Sequence, residues 1–214
     1  MSRKLAAVAL RLEGPLQSWG YESELSRRTT GMMPTKSAVA GICCASLGYN
    51  RGCQEEQDFL NAFVRLNMIA IALPNDFSVH RMSDFHTILN TKTAEGKIKN
   101  SHMTYRQYLN DSKFGIVLSG DKTVILQIAD ALKDPVWGVF LGRKCCIPSA
   151  PVWAGTFDAE ADAIQSLLGS HELAQCRVQQ DAAGFEDGQD FLSDVPISFK
   201  STNRQFRPRR IRNQ

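Results

Sequence analysis

Several features that would assign this chain to a common functional class are missing from its sequence. No apolar run approaches the roughly 20 residues that a membrane-spanning helix needs, and the first residues turn polar too soon for a signal peptide. The six cysteines form no C-x-x-C pair, and the scattered carboxylates show neither D-x-D spacing nor paired histidines. These absences predict a cytoplasmic protein without membrane contact, metal or other cofactor. Buried thiols are the expected state of the cysteines, and a disulfide between distant pairs stays open.

A nucleotide-binding phosphate loop is also missing, although residues 31–37 have a similar composition. That loop needs glycine directly before its Lys-Ser pair, and this chain has Thr35 there, before Lys36 and Ser37. The Cβ of Thr35 would prevent the backbone from wrapping a triphosphate in the same way.

What is present is an ordinary globular composition with unevenly placed charge. The 214 residues are 43% hydrophobic, enough for one substantial core or two small ones. Six basic residues and no acids follow residue 199, so the rest of the chain is net negative although the whole carries +3. A basic tail indicates contact with nucleic acid or an acidic partner, or only a solubilising end.

The stretch from Arg27 to Gly48 predicts a loop that runs into a helix. Thr35 follows Pro34 as a plausible N-cap, and apolar residues then recur at helical spacing. Because a helix start carries unpaired N–H groups and partial positive charge, it attracts anions such as phosphate. Basic and hydroxyl side chains surround this start: Arg27, Arg28, Thr35, Lys36 and Ser37. An ordinary capped helix with a solvated entry is the alternative.

The order of predicted elements favours an α+β fold. Strands are expected at residues 5–12, 66–73, 113–118 and 136–141, with helices after Thr35 and at residues 54–64 and 122–132. Strand, helix, strand occurring twice is the ferredoxin-like pattern of RNA-recognition modules. We expect residues 1–150 to form this RNA-binding domain. Residues 151–214 would form a small C-terminal extension with the basic tail, a helix at 158–168 and a strand at 196–200.

A long polar stretch, residues 77–110, interrupts this pattern. A structureless loop of that length is unusual in a compact domain unless it is functional, so we predict a projecting hairpin or thumb. Basic residues alternate there with Phe85, Tyr105 and Tyr108, which suits single-stranded nucleic acid. A solvated insertion is the alternative.

Two short segments and the acidic final third of the chain each leave two interpretations. Trp19, in the glycine-bounded loop 14–20, either stacks on a base or fills the core. Gly142 either lets a ligand approach beside Arg143 and Lys144 or simply forms a turn. The acidic final third is expected to face solvent or a basic neighbouring subunit.

A set of longer motifs resembles one known family. The motifs are GPLQSWG at 14–20, RRTTGMMPTKSAVAGI at 27–42, DFHTILN at 84–90, TYRQYLNDSKFGIVL at 104–118, VFLGRKCCIPSAPVWAG at 139–155 and RQF at 204–206. In this order they resemble the CasD family, the fifth family of CRISPR-associated proteins, and its type I-E form in particular. The resemblance covers nearly the whole chain.

The resemblance implies a non-catalytic subunit of Cascade, the type I CRISPR surveillance complex for antiviral defence. Such a subunit binds and caps the 5′ handle of the crRNA, with its thumb over the junction of handle and spacer. Its expected neighbours are a repeating backbone subunit and a large subunit, and target DNA is reached indirectly through the complex. The expected RNA contacts are Gln17, Trp19, Arg27, Arg28, Thr35, Lys36, Ser37, His86, Lys99, His102, Tyr105, Arg106, Arg143 and Lys144.

Two other functions stay open. Type I-C relatives cut precursor crRNA without metal, and His102 with Lys97 or Lys99 and Tyr105 would supply the base and cation that such cleavage needs. A DNA-binding module that uses the arginine tail alone is the third hypothesis.

Overall fold

The computed structural model describes residues 5–20, 26–75, 80–93 and 95–214. Its helices are α1 (Lys36–Ser46), α2 (Gln54–Phe63), α3 (Lys122–Lys133) and α4 (Glu160–Leu168), with a short 3₁₀ turn at Leu173–Gln175. Its strands are β1 (Leu5–Gln17), β2 (Arg27–Arg28), β3 (Asn67–Ala72), β4 (His80–Lys92), β5 (Ile98–Asp121), β6 (Trp153–Phe157), β7 (Val178–Asp181), β8 (Asp190–Ser198) and β9 (Gln205–Asn213).

One large sheet organises these elements, in the order β6-β1-β5-β3-β7-β9-β8, with β2 and β4 attached to β5. Every pairing is antiparallel except that of β2 with β5. The α+β class predicted from the sequence is therefore correct. The sheet continues across residue 150, because β6 pairs with β1 and β7 pairs with β3.

The two faces of the sheet bury two hydrophobic clusters, as the alternation along β1 requires. Ala6, Val8 and Leu10 point to the larger cluster, which includes buried side chains of α1, α2 and α3. Ala7 and Ala9 point to the smaller one, which α4 covers with Leu167 and Leu168 among others.

The helices begin where local chemistry predicts. Thr35 caps α1 through its Oγ1, which accepts from the Ala38 amide at 3.3 Å. Asp121 caps α3 in the same manner by accepting from Thr123. The predicted helices of residues 54–64, 122–132 and 158–168 are confirmed with small shifts of their ends.

One predicted strand is wrong. Residues 136–141 form an irregular segment tied to α1 by hydrogen bonds from the Val136 and Trp137 amides to the Ser46 and Ala45 carbonyls. The place beside β1, from Ala7 to Leu10, is taken by β6 and not by this segment.

The basic tail is also different from its prediction, because it is the strand β9. This strand lies between β7 and β8 and pairs with both, so residues 205–213 are part of the sheet and not a free end. The predicted last strand is found at Asp190–Ser198, earlier than expected.

The 24-residue strand β5 belongs to two structures in succession. Its second half pairs with β1 and β3, and its first half pairs with β4 in a hairpin that includes Arg81–Leu109 and Leu89–Ser101 as opposite residues. Between Ile98 and Thr104 the only described strand beside β5 is β4. Residues 77–110 thus form a hairpin where the sequence predicted a projecting element, except that residues 76–79 and 94 lie outside the described part.

Candidate nucleic-acid interface

The start of α1 is closed to a phosphate by acidic groups of the same chain. Lys36 is 3% exposed, and its amide donates to the Asp194 carboxylate at 2.6 Å. Its ammonium donates to the Leu66 carbonyl and to Asp181, both at 2.7 Å. Burial lowers the pKa of Lys36, an effect that Asp181 opposes. The prediction that Lys36 contacts RNA is therefore contradicted, since its ammonium is already paired with the Asp181 carboxylate and its amide with that of Asp194.

Arg209 completes this group, which we call the buried ion cluster: Lys36, Asp181, Asp194 and Arg209. Its guanidinium bonds to Asp194 through Nε at 2.6 Å and Nη2 at 2.9 Å, and to Asp181 through Nη1. Burial alone would lower the pKa of Arg209, but the two carboxylates raise it above its ordinary value. The sequence predicted these two aspartates on an outward acidic face, whereas they neutralise cations inside the protein.

Three other predicted contacts near this helix, Gln17, Trp19 and Thr35, are also buried, whereas Ser37 is half-buried. Thr35 is used as the cap, and Ser37 Oγ lies 3.3 Å from Thr35 Oγ1. The Gln17 amide donates to the carbonyls of Leu12 at 3.1 Å and Ser112 at 2.6 Å. Trp19 is 0% exposed and packs edge-on against Phe114. Of the two interpretations of Trp19, the structure supports the core.

Arg143 acts as a staple between three segments. It donates to the Gln107 carbonyl at 3.0 Å and the Arg28 carbonyl at 2.9 Å, and its guanidinium lies 4.5 Å from the Tyr108 ring centre. These contacts fix β2 along β5, so Arg143 positions other residues more than it faces a ligand. Lys144 beside it is exposed.

Gly142 makes this staple possible through a close approach within the chain. Its φ is 99°, and a Cβ there would lie 1.8 Å from the Ser18 carbonyl oxygen. The neighbour that needs this glycine is therefore the loop that carries Trp19, which supports the turn interpretation.

The hairpin has two chemically different faces, because opposite residues of an antiparallel pair share a face. One face, which we call the stacking face, carries Phe85, Tyr105, Met103 and Leu89, all exposed. The Phe85 and Tyr105 ring centres are 5.3 Å apart, and the Arg27 guanidinium lies 5.9 Å from the Tyr105 ring. The alternation of apolar residues along the hairpin is the sequence signal that would have found Met103 and Leu89.

The opposite face carries His86, His102 and Arg106, together with the apolar Ile88, which pairs with His102. His86 Nε2 lies 3.1 Å from Asp84 Oδ2, and Arg106 Nε donates to Thr104 Oγ1 at 3.3 Å. Lys99 lies opposite Thr91 near the tip and is exposed.

The groups suggested for RNA cleavage are not brought together. His102 and Tyr105 are three residues apart on one regular strand, so they project from opposite faces, and the same holds for Lys99 and His102. Within the described ranges no three His, Cys, Asp or Glu side chains are arranged to hold a metal ion. None of the helices in the described ranges has the length and apolarity needed to cross a bilayer.

The chemistry of the stacking face suits a single strand of nucleic acid, since exposed rings stack on bases while a neighbouring guanidinium contacts phosphate. A family model described as "CRISPR-associated protein (Cas_Cas5)" matches residues 7–212. The chain belongs to this Cas5 family. This establishes the resemblance seen in the sequence motifs.

Individual relatives agree with the family. This Cas5 chain is 31% identical over 169 residues to a protein of Escherichia coli (strain K12) named "CRISPR system Cascade subunit CasD", with 75% of each chain covered. It matches a chain from a solved structure described as "CRISPR RNA-guided surveillance complex" with a TM-score of 0.78 and 27% identity, covering 97% of this chain and 89% of that one. A second structure, described as "Crystal structure of Cas protein", shares the fold with a TM-score of 0.64 and 24% identity over 97% of this chain and 93% of that one.

Proposed function

We propose that this Cas5 chain is a non-catalytic subunit of a type I-E Cascade in the bacterial cytoplasm. It binds and caps the 5′ handle of the crRNA and contacts the repeating backbone subunit and the large subunit. Target DNA is reached only through the assembled complex. The relationship to CasD and the structural similarity to a chain of a surveillance complex support this assignment.

The stacking face of the hairpin is the observation that carries the RNA-binding part of the proposal. Phe85 and Tyr105 are 52% and 50% exposed, although burial of such rings would contribute about 1.5–3 kcal/mol each to folding. The isolated chain therefore gains little folding free energy from these paired rings beside Arg27. The rings are instead available to stack on a ligand with flat apolar faces. We interpret the hairpin as a thumb that stacks on splayed bases of the handle.

We also propose that the strands that support the hairpin form a ferredoxin-like core. The spatial order β6-β1-β5-β3, with α1 and α2 between β1 and β3 and with α3 after β5, supports this interpretation. In this arrangement β5 runs from the core directly into the thumb.

The first experiment mixes the purified full chain with labelled repeat RNA in the presence of a chelator. Native gels measure binding and denaturing gels show whether the RNA is intact. We expect a shifted, intact RNA, because the groups needed for cleavage lie on opposite faces of the hairpin. A shortened RNA would make the chain an endoribonuclease, with His102 the first residue to replace.

Substitutions at Tyr105 test the stacking face. Stacking on a base contributes about 1–3 kcal/mol, so Tyr105→Leu should weaken handle binding about tenfold or more. Tyr105→Phe keeps the ring and is the matched control, for which we expect affinity close to that of the natural chain. Equal affinities of the two variants would remove the hairpin ring from the RNA site.

A further inference from the structure

The basic residues that end the sequence divide into two groups with different environments. Arg209 belongs to the buried ion cluster, and Arg210 donates to the Phe185 carbonyl at 3.0 Å and to the Gly188 carbonyl while its guanidinium stacks near the Phe185 and Phe191 rings. Lys200, Arg204, Arg207 and Arg212 are exposed instead. Only the second group is available to a ligand.

Arg204 is held by aromatic rings and not by an acid. Its guanidinium lies 5.6 Å from the Phe199 ring centre and 5.2 Å from that of Phe206, and the two ring centres are 6.3 Å apart. The rings contact the guanidinium, and its hydrogen-bond donors are unused by any carboxylate within the described chain. A planar, oriented guanidinium is suited to a phosphate or carboxylate with two oxygens.

Two further cations lie beside Arg204. Burial and then the charge of Arg51 lower the pKa of Arg204, in agreement with the packing of the residue after Arg51 on the turn that carries Arg204. Gly52 packs against Lys200, since a Cβ at Gly52 would lie 3.0 Å from Lys200 Cγ. The α1–α2 connection and the β8–β9 turn thus bring Arg51, Lys200 and Arg204 together, a concentration of like charge that a bound anion would relieve.

A second basic pair lies at the other end of α2. Arg65 and Arg207 line a cleft of about 410 Å³, together with Lys36, Asp181 and Arg209 of the buried ion cluster. Arg51 and Arg65 lie beyond opposite ends of α2, which is about 15 Å long, and Arg204 and Arg207, three residues apart, connect the two groups. Gln57 of α2 donates to the Ile197 carbonyl of β8 at 2.9 Å, which places this helix against the strand before the turn.

The three acidic side chains of α2 have other positions or partners. Glu56 is buried at the Arg51 end of the helix, where its carboxylate accepts from the Gly52 amide at 2.6 Å. Glu55 is about 160° around the helix from Gln57, on the opposite flank. Asp58 lies about 100° away and accepts from Gln54 at 2.8 Å. The flank of α2 that meets β8 therefore has a basic group at each end.

We propose that Arg51, Arg65, Lys200, Arg204 and Arg207 form a basic strip that binds the phosphodiester backbone of a nucleic-acid strand without reading its sequence. The strip is built from α2, its flanking turns and the β8–β9 end of the sheet, and it is separate from the hairpin. It offers cations and, among its members, no exposed aromatic ring on which a base could stack, which suits the regular charge of a backbone. This inference does not require the hairpin to bind the crRNA handle.

The test compares two double variants with the same change in net charge. Arg51→Gln/Arg204→Gln removes two of the five cations of the strip, and Arg177→Gln/Arg212→Gln removes two exposed arginines elsewhere. Fluorescence anisotropy with oligouridylate and oligothymidylate gives the affinity of the full chain over a range of salt concentrations. For single strands the slope of log K against log salt should fall in magnitude by about 1.4, or 0.7 per lost contact, only in the strip variant.

The outcomes separate this proposal from the previous one. Loss of slope with either polymer supports the strip, and a preference for oligouridylate identifies RNA as the source of the phosphates. Tyr105→Leu should leave this change in slope intact, so failure of the hairpin does not remove the strip. Equal slopes for the two double variants would overturn the proposal. Competition by polyglutamate as strong as that by the oligonucleotides would also overturn it, because the partner would then be an acidic protein surface. Thermal unfolding of both double variants confirms that each is folded.

Discussion

Removal of Asp194 tests whether the buried ion cluster holds the fold together. Asp194 is 1% exposed and accepts hydrogen bonds from the Lys36 amide and from two nitrogens of Arg209. Asp194→Ala leaves Asp181 as the only described carboxylate that pairs with the two buried cations. The cost is therefore that of an uncompensated buried charge and an unpaired amide at the start of α1.

Breaking one partner of a buried pair costs about 3–5 kcal/mol. Because Arg209 keeps its contact with Asp181, we expect about 3 kcal/mol for Asp194→Ala, a large share of the typical 5–15 kcal/mol of a folded protein. For a chain of this size, about 2–4 °C per kcal/mol gives a decrease in Tm of roughly 6–12 °C.

Thermal and urea unfolding followed by circular dichroism measure this change. Asp187→Ala removes an exposed carboxylate and should stay within about 0.5 kcal/mol of the natural chain. Asp194→Leu/Arg209→Met should recover part of the loss, since apolar residues can replace a buried pair with little cost. Equal stability of Asp194→Ala and Asp187→Ala would refute the structural role of the cluster.

Three further predictions follow from local geometry and protonation. Gly142→Ala should lower the free energy of unfolding in urea by about 2–4 kcal/mol, because Gly142 has a positive φ and an added Cβ would meet the Ser18 carbonyl. Gly41→Ala should raise it by about 0.5–1 kcal/mol, because Gly41 lies in α1 with open space around it. Burial raises the pKa of Cys44 from its ordinary 9.0 to about 12, so its stabilising contribution is full below about pH 9 and is lost as the pH rises towards 12. Between neutral pH and about pH 10, the free energy of unfolding of the natural chain should therefore fall by about 1 kcal/mol more than that of Cys44→Ala. Parallel pH dependences of the two unfolding free energies would contradict this. Arg143→Lys should weaken RNA binding about tenfold by releasing β2 from β5, and unchanged affinity would show that the staple is dispensable.

Local patterns identified the elements whose formation depends on near neighbours. Thr35 caps α1 as its side chain and position indicate, and the apolar spacing of residues 122–132 marks α3. The strand predicted at residues 136–141 failed for a non-local reason, since the first amides of this segment bond to the end of α1 and not to a strand. Nothing in that segment shows that β6 occupies the edge of β1.

The candidate site also contains residues that could be placed from the sequence and residues that could not. The rings and cations of the hairpin were visible because they lie in one continuous segment, where alternation places them on faces. The role of Lys36 was not visible, because its partners Asp181 and Asp194 are 145 and 158 residues away along the chain. The resemblance to CasD gave the family but did not indicate which of the motif residues are buried.

The long separation within the buried ion cluster has a consequence for synthesis on the ribosome. Translation at about 5–20 residues per second needs roughly 8–30 seconds to add the 158 residues from Lys36 to Asp194. During that time the first amide of α1 lacks its Asp194 acceptor, and the strand that carries Arg209 has not been made. Nascent chains stalled before residue 194 should therefore be more sensitive to protease in the α1 region than chains released in full.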